Sequence, residues 1–493
     1  MAYKLRRKKF NYTDDEILDV IFPKKIFRYD KRPKLVIVPH HIAHAASVFF
    51  TSGLKKAAIL VIDGQGEDSS TSIAYGEDKT IKVLKSFPIQ SSLGYFYEAV
   101  NKYIGFHYFD SGKTMGLAPY GKSIFNFKNI KLGNSGYNIV LPRKLKYSPE
   151  HLDEQETLVN LWHKKIKEFI NQPNSIKYEF EKSKNRIISK LEIPQIYKDF
   201  ATSAQAVLEK AIDHLAILAV KMTGCNDLCI SGGVGLNCVA NGKLLYNPLV
   251  KTLYIFPAAN DAGVSAGAAL YASALYDKNA DFSRLEHIYL GPHYANRQIR
   301  KILNESKIRY KISNNICKET ACLLAKNKII SWFQGKMEVG PRALGNRSIL
   351  ASPLKKAMWK RVNIIKGREL WRPFAPSTLE EYKDEYFENA QSSPFMLKTF
   401  RVKKNKQSLI PAVVHIDGST RPQTVSKKTN KKLWLLINEF YKITGVPALL
   451  NTSFNRFGEP IVCTLQDAMA MFYNSGLDYL VIDNLIISKE NKK

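Results

Sequence analysis

Three short apolar runs, each closed by a glycine-bearing turn, constrain this chain more than any other feature. Ala57–Ile62 (AAILVI) stops at Asp63-Gly64-Gln65-Gly66, Leu228–Ile230 at Ser231-Gly232-Gly233-Val234-Gly235, and Leu253–Phe256 leads into Asn260-Asp261-Ala262-Gly263. Runs this short and this apolar read as buried strands, and glycine lets the chain turn sharply where they end. Helical stretches follow the second and third runs, the last a small-residue helix through Ala274. Another helix starts at Ser203, with Val207, Ala211, Leu215, Leu218 and Met222 on one face. Ser72–Tyr75 and Ile81–Leu84, joined at Gly76-Glu77-Asp78, read as a hairpin. The alternation implies an α/β first domain with a mostly parallel sheet.

Residues 123–200, rich in Lys, Asn and Glu, read as a partly helical insertion. At Tyr289-Leu290-Gly291-Pro292 the pattern breaks. A fresh α/β unit follows, with a helix near Lys318–Lys326, a strand at Ile329–Phe333 and a closing strand at Tyr479–Ile482. The domains are therefore expected at 1–300 and 301–493, and 493 residues suffice for two large units.

Composition narrows the class. Hydrophobic residues are 45% and charged residues 24%, the balance of a soluble globular protein. The net charge of +30 is mostly lysine spread along the chain, as in Lys164–Lys167 and Lys403–Lys406, with no Arg-rich tail. That pattern describes a solvated surface with a general pull on anions, and nucleic acid is not an expected partner. The six cysteines show no paired CxxC spacing, so reduced, mostly buried thiols are expected. No apolar run approaches the roughly 18 residues a membrane helix needs. The start, MAYKLRRKKFNYTDDE, lacks the apolar segment of a secretory signal. A cytoplasmic location, with no membrane partner, is the expectation.

Three constellations carry chemistry. His40 and His44, in HHIAHA, are four apart and share a face on one helical turn, which is metal-ligand spacing. Asp63 and Asp261 each follow a predicted strand at a glycine turn, where strand ends of a parallel sheet converge on one crevice. Two His and two Asp make a mixed N/O set that suits iron, manganese or zinc. The second constellation is Gly232, Gly233, Gly235 and Asn237, whose turn between strand and helix lets backbone N–H groups approach phosphate. The third gathers cations in glycine- and proline-bearing runs: Arg342 and Arg347 in GPRALGNRS, Lys366, Arg368 and Arg372 in KGRELWRPFAP, and Arg421 in HIDGSTRPQTV. Asn451, Ser453 and Asn455 follow in NTSFN. Arginine holds phosphate bidentately and lysine as a point charge.

With these residues on the page, nearly the whole chain resembles the O-carbamoyltransferases of the nodulation and antibiotic-tailoring type. The motifs HHIAHA, IDGQGE, SLGYFYEAV, GKTMGLAPYGK, SGGVGLN, NDAGVSAGAA, EVGPRALGNRSILA, KGRELWRPFAP, HIDGSTRPQTV and LLNTSFNRFGEP occur in order. The resemblance implies a first domain like the tRNA threonylcarbamoyltransferase catalytic subunit, with actin/sugar-kinase-like (ribonuclease-H-like) subdomains. It implies a second domain like a threonylcarbamoyl-adenylate synthase. It further implies that carbamoyl phosphate and ATP give carbamoyl adenylate and pyrophosphate in the second domain, and that the first transfers the carbamoyl group to a hydroxyl acceptor.

By the same resemblance, His40, His44, Asp63 and Asp261 hold a divalent metal, expected to be iron, with Mg a further candidate cofactor. Arg342, Lys366, Arg372, Arg421 and Ser453 fall where the family binds carbamoyl phosphate or nucleotide, and Asn451 joins the glycine turn as a nucleotide contact. The acceptor is expected to be a small molecule or saccharide, and a homodimer is compatible with the sequence. Two departures stand out. Only 39 residues precede His40, without the strand and glycine/His-Asp turn that the family places well ahead of these histidines, so an N-terminally truncated first subdomain is expected. Ser111 also stands where many relatives carry an acid. Two alternatives stay in view: a tRNA threonylcarbamoylation factor, against which the fused second domain with its GPRALG and NTSFN motifs argues, and an inactive truncated nucleotide- and metal-binding remnant.

Overall fold

The computed structural model describes residues 13–28, 31, 33–107, 110–140, 158–164 and 193–489. Most of the expected insertion at 123–200 lies outside them. Among the described residues of that insertion are a hairpin, Ile130–Gly133 with Gly136–Ile139, and a helical stretch at 158–164. Among the described residues before His40 there is one helix, Asp14–Ile21, closed by a capping box between Thr13 and Glu16.

The first sheet has five strands in the order Thr80–Pro88, Ser69–Glu77, Lys56–Ile62, Asp227–Ser231, Thr252–Ile255. The expectation of a mostly parallel sheet is corrected here. The last three strands run parallel, but the Ser69–Pro88 hairpin adds two antiparallel pairings. A short apolar run records burial and leaves its direction open. Ala57–Ile62 is buried along its whole length, so both faces of this central strand are covered. The helices His40–Phe49 and Gln195–Thr223 both pack on it.

The long helix begins eight residues before Ser203, and its buried stripe is rotated from the expected one. Leu208, Ala211, Ile212, Leu215, Ala216 and Ala219 face the core, whereas Val207 and Leu218 are half-buried and Met222 is exposed. The small-residue helix is Val264–Tyr276. Its composition has a steric reason: a Cβ on Gly267 would stand 1.8 Å from the carbonyl oxygen of Ala43, so only glycine lets it lie against the histidine helix.

The second domain is built on an eight-stranded mixed sheet. Its order runs Gln423–Val425, Ala375–Leu379, Ala448–Ser453, Arg347–Ala351, Ile330–Phe333, Tyr479–Ile482, Leu485–Ser488, Lys311–Ile312. Tyr479–Ile482 turns back into Leu485–Ser488, so it is not the last strand. The helix Asn296–Glu305 spans the expected boundary at 300, yet Ile299 and Leu303 pack into the second core while Ile288 belongs to the first. Phe395, Met396 and Leu397 of the second domain join the first core, so the two units share a packed interface. No described helix is long and apolar enough to cross a membrane. Cys225, Cys229, Cys238 and Cys317 are buried thiols and Cys322 is exposed; all six cysteines are unpaired.

Candidate active site

The histidine helix starts directly at His40, after Pro39, which supplies no capping side chain. The cap comes from a distant turn instead: both carboxylate oxygens of Glu67 accept the His40 backbone N–H at 3.0 Å. A carboxylate at a helix N-terminus also meets the positive end of the helix dipole. The IDGQGE turn thereby fixes the end of the helix that carries both histidines, and the same turn presents Asp63.

Four ligand atoms, from His40, His44, Asp63 and Asp261, lie within 4.8 Å of one another. Asp63 Oδ2 is 3.0 Å from His40 Nε2 and 3.1 Å from His44 Nε2, and the two Nε2 atoms are 3.0 Å apart. Asp261 Oδ1 stands at 3.7 and 3.6 Å from them. The surroundings orient these groups. Asp63 Oδ1 accepts N–H bonds from Gly64 at 2.9 Å and Gly233 at 3.0 Å, and His44 Nδ1 lies 3.3 Å from Ser231 Oγ. Such outer partners fix ring orientation and carboxylate geometry in metal sites.

Electrostatics agree. Burial opposes it, but hydrogen bonds from His40 and His44 hold the Asp63 carboxyl well below its usual range. Burial likewise opposes the rise at His44, where bonds to Asp261 and Asp63 push the imidazole up to about 9. Two imidazole nitrogens converging on one carboxylate oxygen form a donor set that fits a divalent cation. Asp261 is 75% exposed, which leaves that side open to a substrate. His41, by contrast, turns away, with Nδ1 2.8 Å from Ser72 Oγ, and burial lowers it to about 4.

The glycine turn has a local explanation. Gly232 has φ +90°, and a Cβ there would meet the Ile62 carbonyl oxygen at 2.2 Å. Gly233 donates to Asp63, and Gly235 packs on Ile230 and Ala259. Asn237 caps the helix Cys238–Leu244 through the Ala240 N–H and exchanges amide bonds with Gln205. These four residues organise the turn beside Asp63 and the helix that follows it.

The third constellation divides. A cavity of about 290 Å³ at the junction of the domains is lined by Arg342, Arg368, Arg372, Arg421, Asn451 and Ser453, together with Gly112, Met115 and Cys238 of the first domain. Burial, then the nearby Arg421 charge, brings Arg342 down to about 9, and its Nε is buried without a partner. Burial, then the charges of neighbouring guanidiniums, lowers the proton affinity of Arg342 and Arg368, and four arginines lining one cavity suit an anion. Asn451 donates to Ser377 Oγ at 2.8 Å, and its Oδ1 is unpartnered.

Lys366 is not among the residues lining this cavity. Its ammonium is surrounded by Ser453 O, Ser453 Oγ, Asn455 O and Asn455 Oδ1, and it is 2% exposed. Burial, with Arg368 and Arg372 nearby, lowers it well below the usual lysine range. Lys366, expected where the family binds carbamoyl phosphate or nucleotide, holds the NTSFN strand end that presents Ser453 to the cavity. Arg347 is likewise structural. It is fully buried over the Phe333 ring, and it donates to the carbonyls of Gln334, at 2.6 Å, and Pro292.

Model matches give the family. Residues 1–270 match the carbamoyltransferase N-terminus and residues 321–489 the carbamoyltransferase C-terminus. The chain belongs to the carbamoyltransferase family. It is 38% identical to nodulation protein NolNO of Sinorhizobium fredii over 92% of this chain and 64% of that protein. It is also 38% identical to nodulation protein NolO of Bradyrhizobium diazoefficiens, over 91% and 78%. An uncharacterised protein of Methanocaldococcus jannaschii, MJ1051, is 32% identical over 94% and 86%. The chain thus spans 64% of the length of NolNO.

For this carbamoyltransferase-family chain, the sequence overlooked two organising carboxylates. Glu338, 1% exposed, gathers the N–H groups of Leu344, Asn346 and Arg347 on one oxygen and so shapes the loop that presents Arg342. Glu369 lies beneath Arg372 at 3.7 Å. Both are acids inside motifs read for their arginines, and only the fold shows where they point.

Proposed function

We propose that this chain is an ATP-dependent O-carbamoyltransferase acting on the hydroxyl of a sugar or secondary metabolite. The observation that carries the reading is the cavity at the domain junction, where Arg342, Arg368, Arg372 and Arg421 converge without enough acid to neutralise them. Guanidiniums fork onto phosphate oxygens, so such a cavity suits carbamoyl phosphate and the ATP phosphates. Water hydrolyses carbamoyl phosphate to carbamate and inorganic phosphate; a carbamate oxygen then attacks the α-phosphorus of ATP, and pyrophosphate leaves. The acceptor hydroxyl then attacks the carbamoyl carbon, and AMP leaves. Arg342, Arg372 and Arg421 hold the charge that develops on the departing phosphates. Ser453 and Asn451 supply short polar contacts on the same wall.

His40, His44, Asp63 and Asp261 would hold a divalent cation. Once bound, that ion supplies Lewis-acid polarisation of a carbonyl or phosphoryl oxygen. Iron is the ion proposed. The implied likeness of the first domain to actin- and sugar-kinase-like folds, and of the second to adenylate-forming synthases, belongs to the same proposal. The experiment is transfer of labelled carbamoyl from carbamoyl phosphate, with ATP, to a panel of sugar hydroxyls. Label appearing in an acceptor only when ATP is present supports the reading; label transfer that ignores ATP contradicts it.

A further inference from the structure

A second cleft at the domain junction shares no lining residue with the arginine cavity. It is larger, at about 360 Å³. One wall comes from the edge strand Thr252–Ile255 and the Arg284–Glu286 link of the first domain, the other from residues 392–398 and 424–429 of the second. Its apolar floor includes Phe395 and Leu397, both buried. Arg284, itself exposed, and the half-buried Lys398 line the same cleft. Neither has an acidic partner within ion-pair distance among the described residues. Two acids line the cleft, Glu286, which is paired with Lys428 at 2.6 Å, and Glu380.

An independent feature also points to a ligand. Ser393 lines the cleft and is 3% exposed, yet its hydroxyl has no hydrogen-bond partner. Its backbone is locked, since its N–H donates to Thr424 Oγ1 at 2.9 Å and its carbonyl accepts the Thr424 N–H at 3.0 Å. The hydroxyl is therefore fixed in the wall of this cleft, and a buried polar group without a partner is uncommon in folded proteins.

We propose that this cleft is a second binding site, for a small organic molecule bearing a phosphate monoester. A guanidinium and an ammonium lining one cleft ask for more than one negative charge, and a phosphate monoester carries about −1.5 to −2 at neutral pH. The fork of Arg284 takes two phosphate oxygens, Lys398 a third, and Ser393 Oγ–H donates to one of them. The apolar floor covers the organic part. Because its walls come from both domains, a bound molecule ties them together. The site stands whether or not the carbamoyl reading does.

The test is binding of radiolabelled inorganic phosphate by equilibrium dialysis, using the full chain with Arg342→Ala and Arg421→Ala to disable the other cavity. One phosphate per chain is expected, weakened at least tenfold by Arg284→Gln or Lys398→Gln and retained by Lys398→Arg. Ser393→Ala, a milder change, should weaken it several-fold, and circular dichroism checks that each variant is folded. Acetate should not compete. No phosphate bound in the parent, phosphate binding indifferent to the Arg284 and Lys398 changes, or equal binding of acetate would each overturn the proposal.

Discussion

Lys113 of the first domain and Glu369 of the second form an ion pair at 3.0 Å, with both side chains 7% exposed. Lys113 also reaches Asp110 at 2.9 Å and lies 4.3 Å over the Phe457 ring. Glu369 in turn faces Arg372 of the cavity. Burial opposes ionisation, but the Lys113 and Arg372 charges hold the Glu369 carboxyl below its usual range. One carboxylate therefore links the domain interface to the anion site.

Removing Lys113 leaves a buried carboxylate with only Arg372 to answer it. Breaking a buried pair by deleting one partner costs roughly 3–5 kcal/mol. Lys113→Met should lower the melting temperature and weaken carbamoyl phosphate use, while bound metal stays as in the unaltered protein. An unchanged denaturant midpoint would remove Lys113 from this role.

The metal ligands should separate cleanly from the cavity. His40→Ala or His44→Ala deletes a ligand that no neighbour replaces, since His41 is turned toward Ser72. Metal per chain, read by elemental analysis, should fall severalfold in both variants and stay level in Arg421→Ala. Full metal content in the two histidine variants would refute the assignment.

Arg421→Ala should cost on the order of 1.5–3 kcal/mol in phosphate binding, the value of a charge-assisted contact. That corresponds to a rise of roughly tenfold to a hundredfold in KM for carbamoyl phosphate. Lys366→Ala should act differently. It frees the four oxygens around its ammonium, so it should reduce stability first. A Lys366→Ala protein as stable as the original would show that its buried contacts hold nothing.

Lys398 gives a pH signature. Burial, with Arg284 beside it, lowers its pKa from 10.5 to about 8. The unfolded chain then binds more protons than the folded one between those values, so this group makes stability rise with pH there. Lys398→Met should be more stable than the original at pH 7, with the difference shrinking toward pH 10. The comparison of melting curves at the two pH values checks it; a constant difference contradicts it.

Much of the fold was legible because strands and glycine turns write themselves locally. Ala57–Ile62 and Tyr479–Ile482 match observed strands to within a residue. The gathering of His40, His44, Asp63 and Asp261 was legible because strand-end turns gather where parallel strands end, and Asp63 and Asp261 follow such strands. What failed was long-range. The hairpin was read locally, but its antiparallel pairing onto the edge of Lys56–Ile62 was not, because an apolar run leaves strand direction open. A lysine in a basic motif looks the same whether it faces a cavity, as expected for Lys366, or clasps a strand end, as it does. The glycines at 232, 233 and 235 carry the composition of a phosphate loop; in the fold Gly232 and Gly233 pass tightly beside Ile62 and Asp63, and Gly235 packs on Ile230 and Ala259. Glu67 capping the histidine helix and Glu369 meeting Lys113 depend on contacts across the fold that no spacing reveals.

The most direct test of the account is pyrophosphate release from ATP, with and without carbamoyl phosphate, in the original chain, in Arg421→Ala and in chain stripped of metal. The account predicts release that requires carbamoyl phosphate, falls at least tenfold in Arg421→Ala at limiting carbamoyl phosphate, and survives metal removal even as transfer to an acceptor stops. Pyrophosphate release that is indifferent to carbamoyl phosphate, or equal in the original chain and Arg421→Ala, would contradict it.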